Sequence, residues 1–400
     1  MSRLWNKGAL LDQRVLEFTA GEDHGLDDRL VAHDVRASIA HAEMLAEAKL
    51  LSGEDLRLIR DGLTAIGASH ARGEWRVPLE QEDGQTALEL RLTALIGPAG
   101  ARIHLGRSRN DQVLAALRLY MRDAVSELAP AADAVAEALV ALAMRQGGVA
   151  LPGYTHMQQA MPSSVDWWAR GNAAEIQDDA EGIRQTLRRI NRNPLGSAAG
   201  YGTPNLPVSR EATRARLGFD SVHEPVTAVQ LSRGKAESQL LFELTLVMQD
   251  LGRLATDLLL FYTQEFAYVE LPVEVTTGSS IMPQKRNPDV FELVRGRSAT
   301  ALACLIESLS VCSRLPSGYN RDLQLIKAPL FRGIDTCMQV LAVLPAALEG
   351  LQFRPENIRL DPSIHAAARA NELVVREGIP FRDAYLRVAR EIEKERGGRS

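Results

Sequence analysis

One polar stretch, TTGSSIMPQKRNPD at residues 276–289, contains the residue types that acid–base chemistry on an anion requires. A serine hydroxyl is a poor base, but a neighbouring cation or positive dipole stabilises its alkoxide, so Ser279 or Ser280 is a candidate base. Lys285 can hold the negative charge that develops when a proton leaves a carbon beside a carboxylate. The stretch therefore predicts an anion site with a base, and the alternative is a flexible surface loop with incidental charge.

His156 is the candidate general acid. It lies in GYTHMQQAMP, among hydroxyl and amide side chains rather than apolar ones. Histidine is the usual proton donor near neutral pH, although a hydrogen-bonded structural histidine is the alternative. No second His, Cys or carboxylate stands at metal-ligand spacing, so we predict no metal ion.

Two further stretches supply groups that can hold a substrate. GRSRNDQ contains Arg109 and Asn110, and GYNRDLQLIKAP contains Gln324 and Lys327. Such cations and amides suit carboxylates and a ureido or guanidino group, while surface salt bridges are the alternative. The stretch at residues 276–289, called the serine-rich stretch, lacks the terminal GK[ST] of a P-loop, so a P-loop is excluded. No GxSxG occurs in the sequence, so a nucleophile elbow is excluded too.

Helices must position these stretches. Apolar residues at helical spacing predict four long helices, over residues 111–144, 165–190, 237–266 and 323–348. Ser52 is expected to cap an earlier amphipathic helix that carries Leu56, Ile59, Leu63 and Ile66. A further helix is expected after the serine-rich stretch, with Asn287 as its N-cap and Pro288 in its first turn. A shorter helix over residues 381–394 closes the chain.

The bulk composition favours an all-α protein, because Ala, Leu, Glu and Arg dominate and aromatic residues make up only 5%. RIHL and VELPVEV are the only strand candidates. The net charge of −5 gives no argument for nucleic acid as a partner. The first residues, MSRLWNKGALLDQR, lack a signal-peptide core, and no run approaches the length needed to span a membrane. Three cysteines, Cys304, Cys312 and Cys337, suit reduced core positions, so a cytoplasmic protein without a membrane partner is expected.

Five motifs together resemble a known family. GSSIMPQKRNPD resembles the signature of the fumarase and aspartase superfamily, whose members eliminate fumarate from succinyl compounds. HLGRSRNDQV, GYTHMQQAMP, NPLGSAAGYGTP and GYNRDLQLIKAPLF resemble the argininosuccinate lyase branch of that superfamily. They occur in the same order and spread over most of the chain.

The resemblance implies an all-α fold of three domains. These would be an N-terminal helical domain (residues 1–107), a central bundle of long helices (108–360) and a short C-terminal helical domain (361–400). Because the chain stops at Ser400, earlier than most relatives, the last domain is expected to be truncated. Four copies would assemble through the central helices, and each active site would take loops from three chains.

The resemblance also implies a reaction, the cleavage of argininosuccinate to arginine and fumarate without a metal or an organic cofactor. Ser279, the first serine of the pair, would remove the proton beside the carboxylate, and Lys285 would stabilise the resulting aci-carboxylate. His156 would act on the guanidinium leaving group, directly or through water, with Glu292 as its orienting carboxylate. The positions that match the family's substrate-binding residues are Arg109, Asn110, Thr155, Asn287, Tyr319, Gln324 and Lys327.

Some positions depart from the family pattern. Gly21 stands where a serine usually contacts substrate, Gln85 replaces the usual histidine, and QLSRGKAE at residues 230–237 replaces a segment that normally contains Ser-Asp-Arg. The alternatives are a sister lyase for adenylosuccinate, aspartate or malate, and an inactive homologue like the lens delta-crystallins. Gln284 before Lys285, together with SRNDQ and YNRDLQ, favours argininosuccinate. Retention of Ser279, His156, Lys285 and Glu292 favours an active enzyme.

Overall fold

The computed structural model describes residues 12–397, and most of them are helical. The helices are α1 (Gln13–Ala20), α2 (Asp23–Asp28), α3 (Val31–Glu47), α4 (Gly53–Ala71), α5 (Gly84–Ile96), α6 (Arg109–Gln146), α7 (Val165–Gln185), α8 (Leu187–Ile190), α9 (Arg210–Leu217), α10 (Ala228–Leu231), α11 (Lys235–Tyr262), α12 (Asp289–Cys312), α13 (Lys327–Glu349), α14 (Ala366–Glu377) and α15 (Phe381–Gly397). The prediction of an all-α fold is confirmed.

Four two-stranded sheets occur within residues 12–397. The antiparallel pairs are β1 (Ala150–Thr155) with β2 (Gln158–Ser164), β5 (Val269–Glu270) with β8 (Gln352–Phe353), and β6 (Thr277–Gly278) with β7 (Arg286–Asn287). The parallel pair is β3 (Arg192–Asn193) with β4 (Ser221–Val222). Short 3-10 helices occupy Leu79–Gln81, Gly97–His104, Val273–Val275, Arg321–Ile326, Pro355–Asn357 and Pro362–His365.

The described residues divide into two compact units. Unit 1 contains residues 12–129, 181–245 and 300–337, and unit 2 contains residues 130–180, 246–299 and 338–397. The division crosses the long helices α6, α7, α11, α12 and α13. The three domains expected from the sequence stay a prediction. Residues 1–11, which are MSRLWNKGALL, and residues 398–400 lie outside the described residues.

The core of unit 1 follows from the helical spacing of apolar residues. Ser52 caps α4 as predicted, because its side chain accepts a hydrogen bond from the Asp55 backbone N–H. Ile59, Leu63 and Ile66 on α4 are buried in a cluster with residues of α3 and α5. Each such side chain contributes roughly 1.5–3 kcal/mol when it leaves water. The predicted amphipathic face of α4 is therefore the face that packs.

The long helices form close to their predicted positions, with four differences. The helix expected over residues 237–266 ends at Tyr262. The helix expected over residues 165–190 is interrupted at Thr186, between α7 and α8. The first turn expected from residue 323 is a 3-10 helix, and α13 begins at Lys327. Asn287 lies in β7 rather than at the N-cap, because it pairs with Thr277, and α12 begins after Pro288. Local propensity does not resolve such boundaries, since tertiary pairing decides them.

The predicted strands are only partly correct. RIHL lies within the 3-10 helix Gly97–His104, and in VELPVEV only Val269–Glu270 forms a strand. Contrary to expectation, one helical stretch, Arg321–Glu349, is long and apolar enough to cross a membrane by length and composition alone. Half of its most apolar window is buried inside the protein, and the core helix of a soluble protein passes the same test.

Candidate active site

The predicted site residues fall into two groups, one in each unit. Unit 2 contains Thr155, His156, Ser279, Lys285, Asn287 and Glu292. Unit 1 contains Arg109, Asn110, Tyr319, Gln324 and Lys327. Each group is built differently.

In unit 2 the serine-rich stretch is a loop closed by a strand pair. β6 and β7 are antiparallel, with Thr277 opposite Asn287 and Gly278 opposite Arg286. The Thr277 hydroxyl donates a hydrogen bond to the Asp289 carboxylate, which ties the strand to the first turn of α12. This pairing holds both ends of the loop that carries Ser279 and Lys285.

Ser279 accepts hydrogen bonds from two backbone N–H groups. Its Oγ lies 3.3 Å from the Ile281 nitrogen and 3.1 Å from the Met282 nitrogen. Donors aimed at a hydroxyl oxygen favour its deprotonated form, because they stabilise the negative charge. The side chain of Ser280 is exposed. Ser279 Oγ therefore receives backbone donors in the described loop, and its role as the base stays a prediction.

Lys285, Asn287 and Glu292 line one cleft of unit 2, with a volume of about 950 Å³. The other charged residues that line it are Arg286, Arg295, Arg354 and Glu270, so four cations face two carboxylates among the described lining residues. Glu292 lies in the first turn of α12, whose dipole favours negative charge. The cleft can therefore receive an anion beside Lys285.

His156 occupies the turn of the β1–β2 hairpin. His156 and Met157 both have positive φ, 51° and 59°, and they are the two residues between the strands. Two-residue turns of this kind usually contain Asn-Gly, because other residues are strained there. Thr155 and His156 are exposed, and no hydrogen bond joins His156 to Glu292 in the described part of the chain. The pairing of β1 with β2 places the imidazole at the tip of the hairpin.

In unit 1 a buried ion cluster surrounds Lys327. Its Nζ lies 2.7 Å from the Asp23 carboxylate and also contacts the Asp27 carboxylate. Burial alone would lower the pKa of Lys327, but Asp27 and Asp23 outweigh it and raise that pKa. Burial raises the pKa of Asp23 to about 6, against the lowering effect of Lys327. A lysine held in this way is positioned as a point charge before any ligand arrives.

The neighbours of Lys327 in the cavity are also held by hydrogen bonds. Arg109 Nη1 donates to Asp83 at 3.0 Å. Gln324 Nε2 donates to the Thr19 carbonyl at 3.1 Å, while its Oε1 accepts from Arg321 at 3.0 Å. Together with Tyr319 they line a narrow cavity of about 40 Å³. Asn110 does not line it and lies in the first turn of α6.

Asp111 was not singled out by the sequence, yet it connects two of the motifs. It is fully buried and accepts hydrogen bonds from the backbone N–H groups of Ser108, Gly196 and Ala198, at 2.9, 3.0 and 2.9 Å. Burial raises its pKa to about 6 despite these donors. Backbone N–H groups of the stretch NPLGSAAGYGTP therefore bind the acid of the GRSRNDQ motif. The position of Asp111 in the first turn of α6 is the only sequence feature that could have suggested this contact.

Three residues that depart from the family pattern, Gly21, Gln85 and Arg233, have defined places in the structure. Gly21 ends α1 with a φ of 50°. Gln85 lies in the cavity of unit 1, and its Nε2 is 3.1 Å from His104 Nδ1. Arg233 is buried in the same cavity, with its guanidinium 5.9 Å from the centre of the Tyr319 ring. Residues 12–397 contain no group of three metal-ligating side chains.

The fold and the sequence are those of a class of lyases. A family model described as Lyase matches residues 14–302. Argininosuccinate lyase of Sorangium cellulosum is 46% identical over 392 residues, covering 98% of this chain and 90% of that protein. Argininosuccinate lyase of Xanthomonas euvesicatoria is 41% identical and covers 99% of this chain and 92% of its own. The crystal structure of EDDS lyase in complex with formate superposes with a TM-score of 0.83, at 26% identity, covering 97% of this chain and 78% of that one.

The chain belongs to this lyase family. The resemblance read from the five motifs is thereby confirmed.

Proposed function

We propose that the protein cleaves argininosuccinate reversibly into L-arginine and fumarate, as a step of arginine biosynthesis. The observation that carries this proposal is the 46% identity with an argininosuccinate lyase over 98% of the chain. The loop geometry around Ser279 supports the same chemistry. No metal or organic cofactor is needed, because a base, an anion receptor and an acid suffice for the elimination.

Proton abstraction is the first step. Ser279 as the alkoxide removes a proton from the succinyl carbon beside a carboxylate, and the electron pair moves into that carboxylate to form the aci-carboxylate. The two backbone N–H groups at Ser279 Oγ support the alkoxide. Lys285 and the start of α12 hold the charge that develops on the substrate.

Loss of the leaving group is the second step. The electron pair forms the fumarate double bond, the bond from carbon to the guanidinium nitrogen breaks, and His156 supplies a proton to that nitrogen, directly or through water. Glu292 of another chain in the proposed assembly orients the imidazole, since the two side chains are not hydrogen-bonded within one described chain. The exposed position of His156 at a strained hairpin tip supports a role in contact with substrate.

Substrate binding uses the remaining predicted residues. Arg109, Asn110, Tyr319, Gln324 and Lys327 hold one part of argininosuccinate, and Thr155 and Asn287 hold another. The hydrogen bonds of Arg109 and Gln324 and the ion pairs of Lys327 support this assignment, because they fix the side chains beforehand.

We also propose a cytoplasmic homotetramer of three-domain chains, in which loops of three chains complete each site. The exposed residues Leu302, Ile306 and Leu309 support it, because they are spaced by four and three and share one face of α12. A second chain packed on this face would remove it from water.

The experiment is to add argininosuccinate to the purified protein and follow fumarate by its ultraviolet absorbance. Adenylosuccinate, aspartate and malate serve as control substrates. We expect fumarate from argininosuccinate and none, or far less, from the other three. Absence of fumarate from argininosuccinate would refute the proposal, and preferential release from a control substrate would assign the protein to a sister activity.

A further inference from the structure

Unit 1 contains a second polar cavity that none of the predicted site residues lines. Its volume is about 410 Å³, and its basic lining residues are Arg118, Arg189, Arg192, His223 and Lys235. We call it the basic cleft. It includes residues of α6, α8, β3 and the start of α11, so the chain brings these cations together from separate segments.

Three of the cations in the basic cleft have no acidic partner. Within residues 12–397, Arg189, Arg192 and Lys235 form no salt bridge and their side chains donate no hydrogen bond. Glu224 is the one carboxylate among the described lining residues, and it pairs with Arg210 at 2.8 Å. Gathering like charges without counter-charges costs free energy, so a bound anion would relieve the repulsion.

Nearby arginines of the same unit behave differently. Arg210, Arg214 and Arg216 on α9 each form a salt bridge with a glutamate. Unpaired cations are therefore not general in this part of unit 1. Arg188, outside the basic cleft, also forms no described salt bridge, so the cleft is distinguished by bringing three such cations into one cavity, in a chain whose net charge is −5.

Arg118 forms the buried wall of the basic cleft. Its guanidinium donates to the Arg192 carbonyl, to His223 Nδ1 at 2.9 Å and to Ser232 Oγ at 3.2 Å, while its buried Nε has no partner in the described structure. Burial lowers the pKa of Arg118 to about 9. The charge of Glu237 raises that pKa, and the charge of Arg233 lowers it further. A buried guanidinium whose surroundings are themselves cationic would gain from a nearby anion.

His223 adds a neutral donor to the same wall. Burial and then Arg118 lower its pKa to about 3, so the imidazole is neutral at physiological pH. Because Nδ1 accepts from Arg118, the ring proton must lie on Nε2. The start of α11, at Lys235, contributes the positive end of a helix of 28 residues.

We propose that the basic cleft binds a small oxyanion with two or more negative charges, of the phosphate-ester or polycarboxylate class. Its volume suits a small metabolite, and its three unpaired cations match a multivalent anion better than a single carboxylate. The proposal is independent of the proposed lyase activity, because it uses none of the residues assigned to that reaction.

The test is isothermal titration of the full-length protein with pyrophosphate and, separately, with citrate, each at constant ionic strength set by chloride. We expect one binding event per chain, and a thermal unfolding temperature that rises with the concentration of the bound anion. Tighter binding of pyrophosphate would indicate a phosphate ligand, and tighter binding of citrate would indicate a polycarboxylate.

A variant with both Arg189→Gln and Lys235→Gln is expected to bind at least about tenfold more weakly, because two charge-assisted contacts are lost. Both side chains are exposed, so folding should be preserved. The matched control is Arg188→Gln, an exposed neighbour on α8 that does not line the basic cleft, and its affinity should equal that of the wild type. If the double variant does not fold, the two single variants decide, each with a several-fold loss.

Three results would overturn the proposal. These are no binding of either probe at millimolar concentration, an equal loss of affinity in Arg188→Gln, and displacement of the bound probe by argininosuccinate. The second would indicate non-specific charge attraction, and the third would assign the anion to the substrate site.

Discussion

The two groups of site residues differ in how firmly the fold holds them. In unit 1, Lys327 is buried between Asp23 and Asp27, and its neighbours are fixed by hydrogen bonds to side chains and backbone. In unit 2, Ser279 and Lys285 lie on a loop in which the hydrogen bonds of Ser279 Oγ are local and most side chains face solvent.

This difference suggests a division of labour. A buried, paired lysine recognises a substrate group without reorganisation, which suits binding. Water must be excluded from proton-transferring groups only while the reaction proceeds. A loop that is exposed in the free protein therefore suits chemistry, provided that it is covered when substrate is bound. If binding and chemistry separate in this way, substitutions in the two units should have different effects.

The largest effect is expected at the proposed base. Ser279→Ala should lower kcat by about 10²–10⁴-fold, the usual contribution of a positioned acid or base, without a change in the unfolding temperature. Ser280→Ala is the matched control and should retain most of the activity, because only Ser279 Oγ receives the two backbone N–H groups. Steady-state fumarate release measures both, and equal activity of the two variants would contradict the assignment.

The same substitution at two lysines should separate stability from activity. Lys327→Met leaves two buried carboxylates without their cation, which should cost about 3–5 kcal/mol of unfolding free energy. Lys285→Met removes an exposed side chain and should change stability by less than about 0.5 kcal/mol, while kcat falls. Urea titrations monitored by circular dichroism measure the stabilities, and a similar loss in both variants would remove the distinction.

A pH effect is expected from the buried acids of unit 1. Burial raises the pKa of Asp34 to about 6, above its ordinary value near 3.8. A raised pKa means that the stabilising contribution is complete below about pH 4 and is lost as the pH rises through about 6. The stability advantage of the wild type over Asp34→Asn should therefore shrink by about 3 kcal/mol between pH 4 and pH 7. The difference in unfolding free energy between wild type and Ser280→Ala should stay constant with pH. The prediction would be contradicted if the difference for Asp34→Asn changed with pH in the same way as the difference for Ser280→Ala.

The smallest effect concerns the hairpin of unit 2. Met157→Gly should raise the unfolding free energy by about 0.5–1 kcal/mol, because glycine adopts positive φ without strain. Met161→Gly is the control, since Met161 is also exposed but lies within β2, where glycine weakens a strand. Stabilisation by the second substitution, or none by the first, would show that the turn is not strained.

The sequence predicted what depends on local periodicity and composition. Ile59, Leu63 and Ile66 were assigned to a packed face because their spacing follows a helix turn, and they are buried. The loop around Ser279 was predicted because glycine, serine and proline interrupt helices. These features require no information about distant parts of the chain.

Features that depend on tertiary contact were not predictable. The β1–β2 hairpin was missed because GYTHMQQAMP lacks the usual Asn-Gly turn and is poor in β-branched residues. The ion cluster of Lys327 joins residues about three hundred positions apart in sequence. Asp111 reaches Gly196 through a similar long-range contact, and no local pattern encodes the distance between two such groups.

The most direct test of the separation between binding and chemistry is isothermal titration of argininosuccinate into the Ser279→Ala protein. The division of labour predicts binding with an affinity within a few-fold of the wild-type KM, followed by recovery of intact argininosuccinate. Loss of binding would mean that Ser279 serves recognition, and formation of arginine and fumarate would mean that another group is the base; either result would contradict the account.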